Sequence, residues 1–117
     1  MAVYDLAHKL AEQLQKADEY QEYKKLRQEV LNDENTHKML LEYQDLSLKV
    51  NSAKAMGQET NKEDEQRLEK LQELIGMNNT ARRYLEAESR IGIMLQDIQK
   101  IMVQNLDLGL AEENREE

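Results

Sequence analysis

A chain of 117 residues has the length of one domain, and its composition, with no Pro, no Phe, no Trp and only four Gly among abundant Glu, Lys, Gln and Leu, favours helices and starves strands. The formal net charge of −8, from 24 acidic against 16 basic residues, argues against a large phosphate-neutralising surface. The absence of cysteine excludes disulfide scaffolds, thiolate metal sites and thiol nucleophiles.

The first residues include Asp5, His8, Lys9 and Glu12, so they lack the apolar run of a signal peptide, and no stretch approaches a membrane span. A cytoplasmic protein is expected. Val3, Leu6, Ala7, Leu10 and Leu14 line one face of a short first helix that ends near Lys16. Asp18, with Gln21 three residues on, has the form of a capping box that opens a second helix. Tyr23, Leu26 and Val30 are its apolar side, and Lys24, Lys25 and Arg27 read as its solvated face.

The run Asn32, Asp33, Glu34 and Asn35 is a polar break rich in capping residues, after which a third helix is predicted to about Met56. Its stripe, Met39, Tyr43, Leu46, Val50 and Ala53, repeats at the heptad interval of a packed seam. A second line, Leu41, Leu48 and Ala55, sits beside it. One partner helix cannot cover both lines, so this helix is either buried on two sides or meets another chain, and the second reading is preferred. Gly57 suits a left-handed turn, and Thr60 with Glu63 predicts the cap of a fourth helix over 62–75 that buries Leu68, Leu71, Leu74 and Ile75 and stops at Gly76.

Asn78 or Asn79 caps a long fifth helix, predicted over 79–108. Tyr84, Ile91 and Ile98 lie seven apart. Ala87, Met94, Ile101 and Leu108 flank that line on one side, and Ala81, Leu95 and Met102 on the other. Such a helix, about 45 Å long, would overhang a compact domain of roughly 35 Å diameter. The reading is therefore an all-α bundle of five helices over 1–108, with an acidic, frayed tail over 109–117; residues 107 to 117 hold five carboxylates and one Arg.

Little in the chain resembles catalytic machinery. His8 and His37 stand on different predicted helices without a metal-ligand spacing, and phosphate loops and nucleophile elbows are missing. Glu88 interrupts the apolar stripe and needs a partner, for which Arg82, Arg83, Arg90 or a tyrosine hydroxyl is available; a structural pair outranks a metal site, because the Glu-x-x-His pairs of di-metal bundles are absent. No catalytic residue, cofactor or metal is expected.

Several segments carry a resemblance: Val3-Tyr4-Asp5-Leu6-Ala7, Glu19-Tyr20-Gln21-Glu22-Tyr23, Tyr84-Leu85-Glu86-Ala87-Glu88 and Asp97-Ile98-Gln99-Lys100-Ile101. Together they make the chain resemble the YheA branch of the YlbF/YmcA family, small helical proteins of Gram-positive bacteria, over nearly everything to Leu108. Family members often carry proline before the third and fifth helices, and this chain has none. The resemblance implies an oligomeric all-helical fold and a non-catalytic regulatory role, linked in better-characterised relatives to competence, sporulation, biofilm development and a complex that directs ribonuclease Y. It supplies no catalytic residue.

The expectation is an interaction protein. Self-association, as a homodimer or higher homo-oligomer, is predicted through Leu41, Leu46, Leu48 and Val50 of the third helix and Ile91, Leu95, Ile98 and Met102 of the fifth. Docking of a protein partner, in the RNA-processing machinery by resemblance, is predicted at Leu41, Leu48 and Ile93, which lie off the main stripes. The alternative is direct RNA binding by Lys24, Lys25, Arg27, Arg82, Arg83 and Arg90, which requires the second and fifth helices to bring these cations together. An enzyme using Glu88 with a metal ranks last.

Overall fold

The computed structural model describes residues 1–110, and the predicted acidic tail lies outside them from residue 111 onward. Five helices follow one another: α1 (Ala2–Lys16), α2 (Asp18–Leu31), α3 (Glu34–Ala55), α4 (Lys62–Met77) and α5 (Asn79–Val103). No strand occurs among the described residues. The all-α reading and its order of elements hold.

The helix boundaries differ in detail, each for a local reason. Asp18 is not a cap. Ala17, extended at φ −63° and ψ 142°, occupies that position without a side-chain bond, and Asp18 enters the first turn of α2. The Gln21 amide reaches back across the break to the Gln15 carbonyl. At the hairpin, Asn61 rather than Thr60 caps α4, its Oδ1 accepting from the Glu63 and Asp64 amides at 2.8 and 3.4 Å. The acids Glu63, Asp64 and Glu65 then stand at the positive end of the helix dipole. α4 continues through Gly76 to Met77, because Asn78 ends α4 and caps α5 at once, its Oδ1 accepting from the Ala81 amide at 2.9 Å. Gly57 does adopt the left-handed turn, at φ 71°.

α5 stops at Val103, short of Leu108. Asn105, Asp107 and Gly109 are poor helix formers, and no neighbouring helix covers this end to override them. Its 25 residues still make an element about 38 Å long.

The core forms where α2 lies antiparallel along the first half of α5. Glu22 pairs with Arg83 and Tyr23 meets Tyr84, while Glu19 and Tyr20 stand beside Ile91 and Met94. Leu26, Val30, Leu40, Ile75, Ala81, Tyr84 and Ala87 are buried there. The starts of α3 and α5 are joined by one polar chain. Asp33 caps α3 by accepting from the Thr36 amide at 3.3 Å and hydroxyl at 2.9 Å, and the Asn78 amide donates to the same hydroxyl at 3.0 Å. Thr36 is buried, so this chain satisfies a group that would otherwise be costly.

α3 and α4 form a hairpin whose register is held from the side by a two-pronged Arg67–Glu42 pair, at 2.8 and 2.7 Å, and by Lys49–Asp64 at 2.8 Å. Val50 and Leu71 are buried in this region. Val50, predicted as an interface residue, is therefore part of the chain's own core.

Two segments stand clear. α1 has no buried residue and packs only near its junction with α2. The part of α5 beyond Leu95 runs past the start of α2, with Ile101, Met102 and Val103 exposed. The radius of gyration is 18.8 Å, against about 13 Å for a compact chain of this length. The predicted overhang is real, and α1 adds a second.

Candidate interaction surfaces

Where α1 ends, α2 begins and α5 leaves the core, an apolar cleft of about 410 Å³ opens. Its walls are Leu14 and Gln15 from α1, Tyr20 and Tyr23 from α2, and Glu88, Ile91, Gly92 and Leu95 from α5. The aromatic side is continuous, because Tyr20 stacks on Tyr23 at 6.5 Å between ring centroids and Tyr23 leans on Tyr84 at 5.6 Å.

Glu88 is half-buried at this cleft. Its Oε2 accepts from the Tyr84 hydroxyl at 3.1 Å and, more weakly, from the Gln44 amide at 3.5 Å. Of the partners the sequence offers, the tyrosine hydroxyl is the one used. Burial first, then neighbouring Tyr23 and the Glu88 charge, raise the Tyr84 pKa well above its ordinary value, so the hydroxyl stays protonated and donates. The arrangement resembles a structural hydrogen bond more than an acid–base pair. Among the described residues no three His, Cys, Asp or Glu side chains gather as a metal site.

The six cations of the alternative reading are distributed over separate places. Lys24, Lys25 and Arg83 line one shallow depression, together with Glu29, and Arg83 is paired with Glu22 at 3.3 Å. Arg27 faces a groove with His37, Leu41 and Tyr84. Arg90 lies in another, between Glu19 and Asp97. Arg82 is turned to its own helix start, donating to Asn79 Oδ1 at 2.8 Å and to the Gly76 carbonyl at 3.2 Å. Half of the set converges, and acids lie among it.

The outer line of α3 is open, with Leu41 47% and Leu48 69% exposed, whereas Leu46 is half-buried. On α5, Ile93 is 56% exposed in the groove with Arg90 and Met94. Ile91 and Ile98 are half-buried, while Leu95 and Met102 are exposed. Sequence reasoning missed the contribution of Tyr20, Tyr23 and Leu14 to the cleft, which depends on the turn at Ala17. It also missed Gly92, although a glycine inside a strong helical repeat is a visible signal.

No helix among the described residues is long and apolar enough to cross a membrane. The family model described as "Control of competence regulator ComK, YlbF/YmcA" matches residues 3–107. A UPF0342 protein of Halothermothrix orenii is 38% identical over 115 residues, spanning 98% of each chain. Another, of Bacillus pumilus, is 28% identical over 114 residues, spanning 96% of this chain and 97% of that one. A solved structure titled "Protein of Unknown Function (DUF964) from Bacillus stearothermophilus" superposes with a TM-score of 0.74 over 91% of this chain and 93% of that one, at 20% identity, a likeness of fold. A match along almost the whole helical chain, supported by relatives of equal length, establishes that this protein belongs to the YlbF/YmcA family, a family described by its control of a competence regulator.

Proposed function

We propose that the protein is a non-enzymatic cytoplasmic regulator that works by contact, associating with itself and docking onto a protein of the RNA-processing machinery. The observation that carries this reading is the amount of apolar side chain left uncovered on regular helix faces, above all Leu48 on α3 and Ile93 on α5. On α3, exposed Leu41 and Leu48 lie seven residues apart, the spacing of a seam that a partner helix covers. Membership of a family described by control of a regulator supports action on another protein. Among the described residues, Glu88 accepts from Tyr84 and Gln44, and of the six cations only Lys24, Lys25 and Arg83 share one depression, with Glu29 beside them.

The test is recovery of the tagged protein's partners from its native host, followed by the triple change Leu41→Ser, Leu48→Ser and Ile93→Ser. All three side chains are exposed, so the fold should persist while recovery of the ribonuclease-containing assembly is lost. Recovery should change little with added salt, as an apolar interface requires, whereas phosphate-driven capture would weaken steeply. Undiminished recovery by the triple variant would discard this docking site. Turnover of RNA by the purified protein alone would overturn the regulator reading.

A further inference from the structure

We propose that the cleft where α1, α2 and α5 meet binds a small amphipathic cation, an organic ammonium on a hydrocarbon chain or ring. Its charge rests on the Glu88 carboxylate and its hydrocarbon on Tyr20, Tyr23, Ile91 and Leu95. The site is separate from the docking residues Leu41, Leu48 and Ile93 and does not rest on that reading.

Glu88 carries the argument. It is half-buried, yet it forms no ion pair among the described residues. The three arginines near it in sequence are placed elsewhere: Arg82 on Asn79 and the Gly76 carbonyl, Arg83 on Glu22, and Arg90 in the groove with Glu19 and Asp97. The Tyr84 hydroxyl and the Gln44 amide both donate to Oε2, and no described residue donates to Oε1. These bonds orient the carboxylate and leave one oxygen for a ligand. A carboxylate drawn partly out of water without a counter-ion favours the approach of a cation, and a charge-assisted bond to an ammonium N–H is stronger than a neutral one.

The walls decide the rest of the ligand. Apart from Glu88 and Gln15, the residues lining the cleft are apolar or aromatic or, at Gly92, without a side chain, and none is basic. Lys16 and Lys24 line a separate depression that shares only Gln15 and Tyr20 with it. An anion would therefore meet a carboxylate and no cation, in a chain of net charge −8. Tyrosine rings attract a cation brought over their faces, and Tyr20 and Tyr23, stacked on each other, both line the cleft.

Size separates a small molecule from a partner helix. One turn of a helix with its side chains fills about 420 Å³, so a cleft of about 410 Å³ would seat a single turn. The same volume lies within the roughly 300–1,000 Å³ of small-molecule sites, which combine apolar walls with a few polar groups. Gly92 adds to this space, since a Cβ built there meets nothing within 4 Å.

The experiment titrates phenylbutylammonium into the full chain, isotope-labelled for amide NMR, with phenylbutanol and phenylbutyrate as its neutral and anionic counterparts. The cation should shift the amides of Tyr20, Gly92 and Leu95 saturably in the millimolar range. The alcohol should bind roughly tenfold more weakly, the worth of a hydrogen bond to a charged group, and the acid should not bind. Glu88→Gln keeps the shape and an acceptor for Tyr84. It should lower the affinity for the cation to that for the alcohol and leave the alcohol unchanged, whereas a merely structural Glu88 would alter both or neither. Gly92→Leu fills the cleft and should abolish both. Equal affinities for the three compounds, no saturable shift with the cation, shifts that map away from the cleft, or undiminished cation binding by a folded Glu88→Gln would each overturn the proposal. Cation binding that weakens as protein concentration rises would assign the cleft to a second copy and overturn it too. If neither variant folds, the three compounds on the unaltered chain decide alone. Partner recovery tests the regulator reading separately, and its outcome leaves these titrations unchanged.

Discussion

The two halves of α5 carry one continuous apolar repeat and meet opposite fates. In the first, Ala81, Tyr84 and Ala87 are 0%, 9% and 1% exposed, enclosed by α2, α3 and α4. In the second, Ile101, Met102 and Val103 are 63%, 56% and 46% exposed. A heptad repeat records that a face is to be covered; the chain that covers it is set by the lengths and exit directions of the neighbours. Burying a side chain of this size contributes about 1.5–3 kcal/mol. The first half has gained such energy within one copy, and the second has not.

The contrast is broken most forcefully from the core side. Leu26→Ala, at a position only 1% exposed, should destabilise the protein by about 2–5 kcal/mol in urea unfolding, because a cavity opens between helices that cannot close on it. Met102→Ala, followed at concentrations low enough to hold the chain monomeric, should change stability by less than about 0.5 kcal/mol. Equal losses at the two sites would erase the distinction between the halves.

Removing Asn78 probes how the enclosed half is anchored. Asn78→Ala deletes both the α5 cap and the bond to buried Thr36, and should cost about 1–2 kcal/mol by the same unfolding measurement. A smaller effect of opposite sign is expected at the boundary between the halves. Gly92→Ala, again in dilute protein, should stabilise α5 by roughly 0.5–1 kcal/mol, since the added methyl meets open space. Destabilisation of the monomer by this change would mean that Gly92 is required within the chain.

The smallest effect concerns pH. The Thr36 hydroxyl and amide hold the Asp33 carboxyl below its ordinary 3.8, and the Arg67 guanidinium holds Glu42 below 4.5. A folded pKa below the unfolded one contributes stability that is complete above those ordinary values and is lost as pH falls through the lowered ones. Melting temperature should therefore fall on acidification below about pH 4, and Asp33→Asn with Glu42→Gln should flatten that fall. An unchanged acid slope in the double variant would show that this cap and this clamp are not linked to folding. Both groups belong to the enclosed body, so the slope should not depend on protein concentration.

Much of the architecture was legible from particular residues. The Asn32–Asn35 break, Gly57 and Asn78 placed three of the four junctions, because caps and left-handed turns depend on a few adjacent atoms. Asp18 and Thr60 misled for the same local reason: each stood next to a residue that served the junction better, Ala17 by its extended backbone and Asn61 by its carboxamide. Leu40 was overlooked between the two apolar lines of α3, yet it is 3% exposed, since the crossing of α2 covers the gap between those lines. Val50 reads as interface by its heptad spacing, yet it is only 3% exposed within the single chain. Tertiary direction explains the cleft as well. Periodicity marked Ile91 and Leu95, but the angle between α1 and α2 decides that Leu14, Tyr20 and Tyr23 face them across it.

The claim on which the rest depends is that the distal half of α5 is covered by another copy and not by its own chain. Amide hydrogen exchange measured across a dilution series tests it directly. Protection of the amides from Leu95 to Val103 should rise with protein concentration, while that of Leu26, Tyr84 and Ala87 stays high until dissociation itself unfolds the chain. Protection of the distal amides that is the same at every concentration would contradict the account.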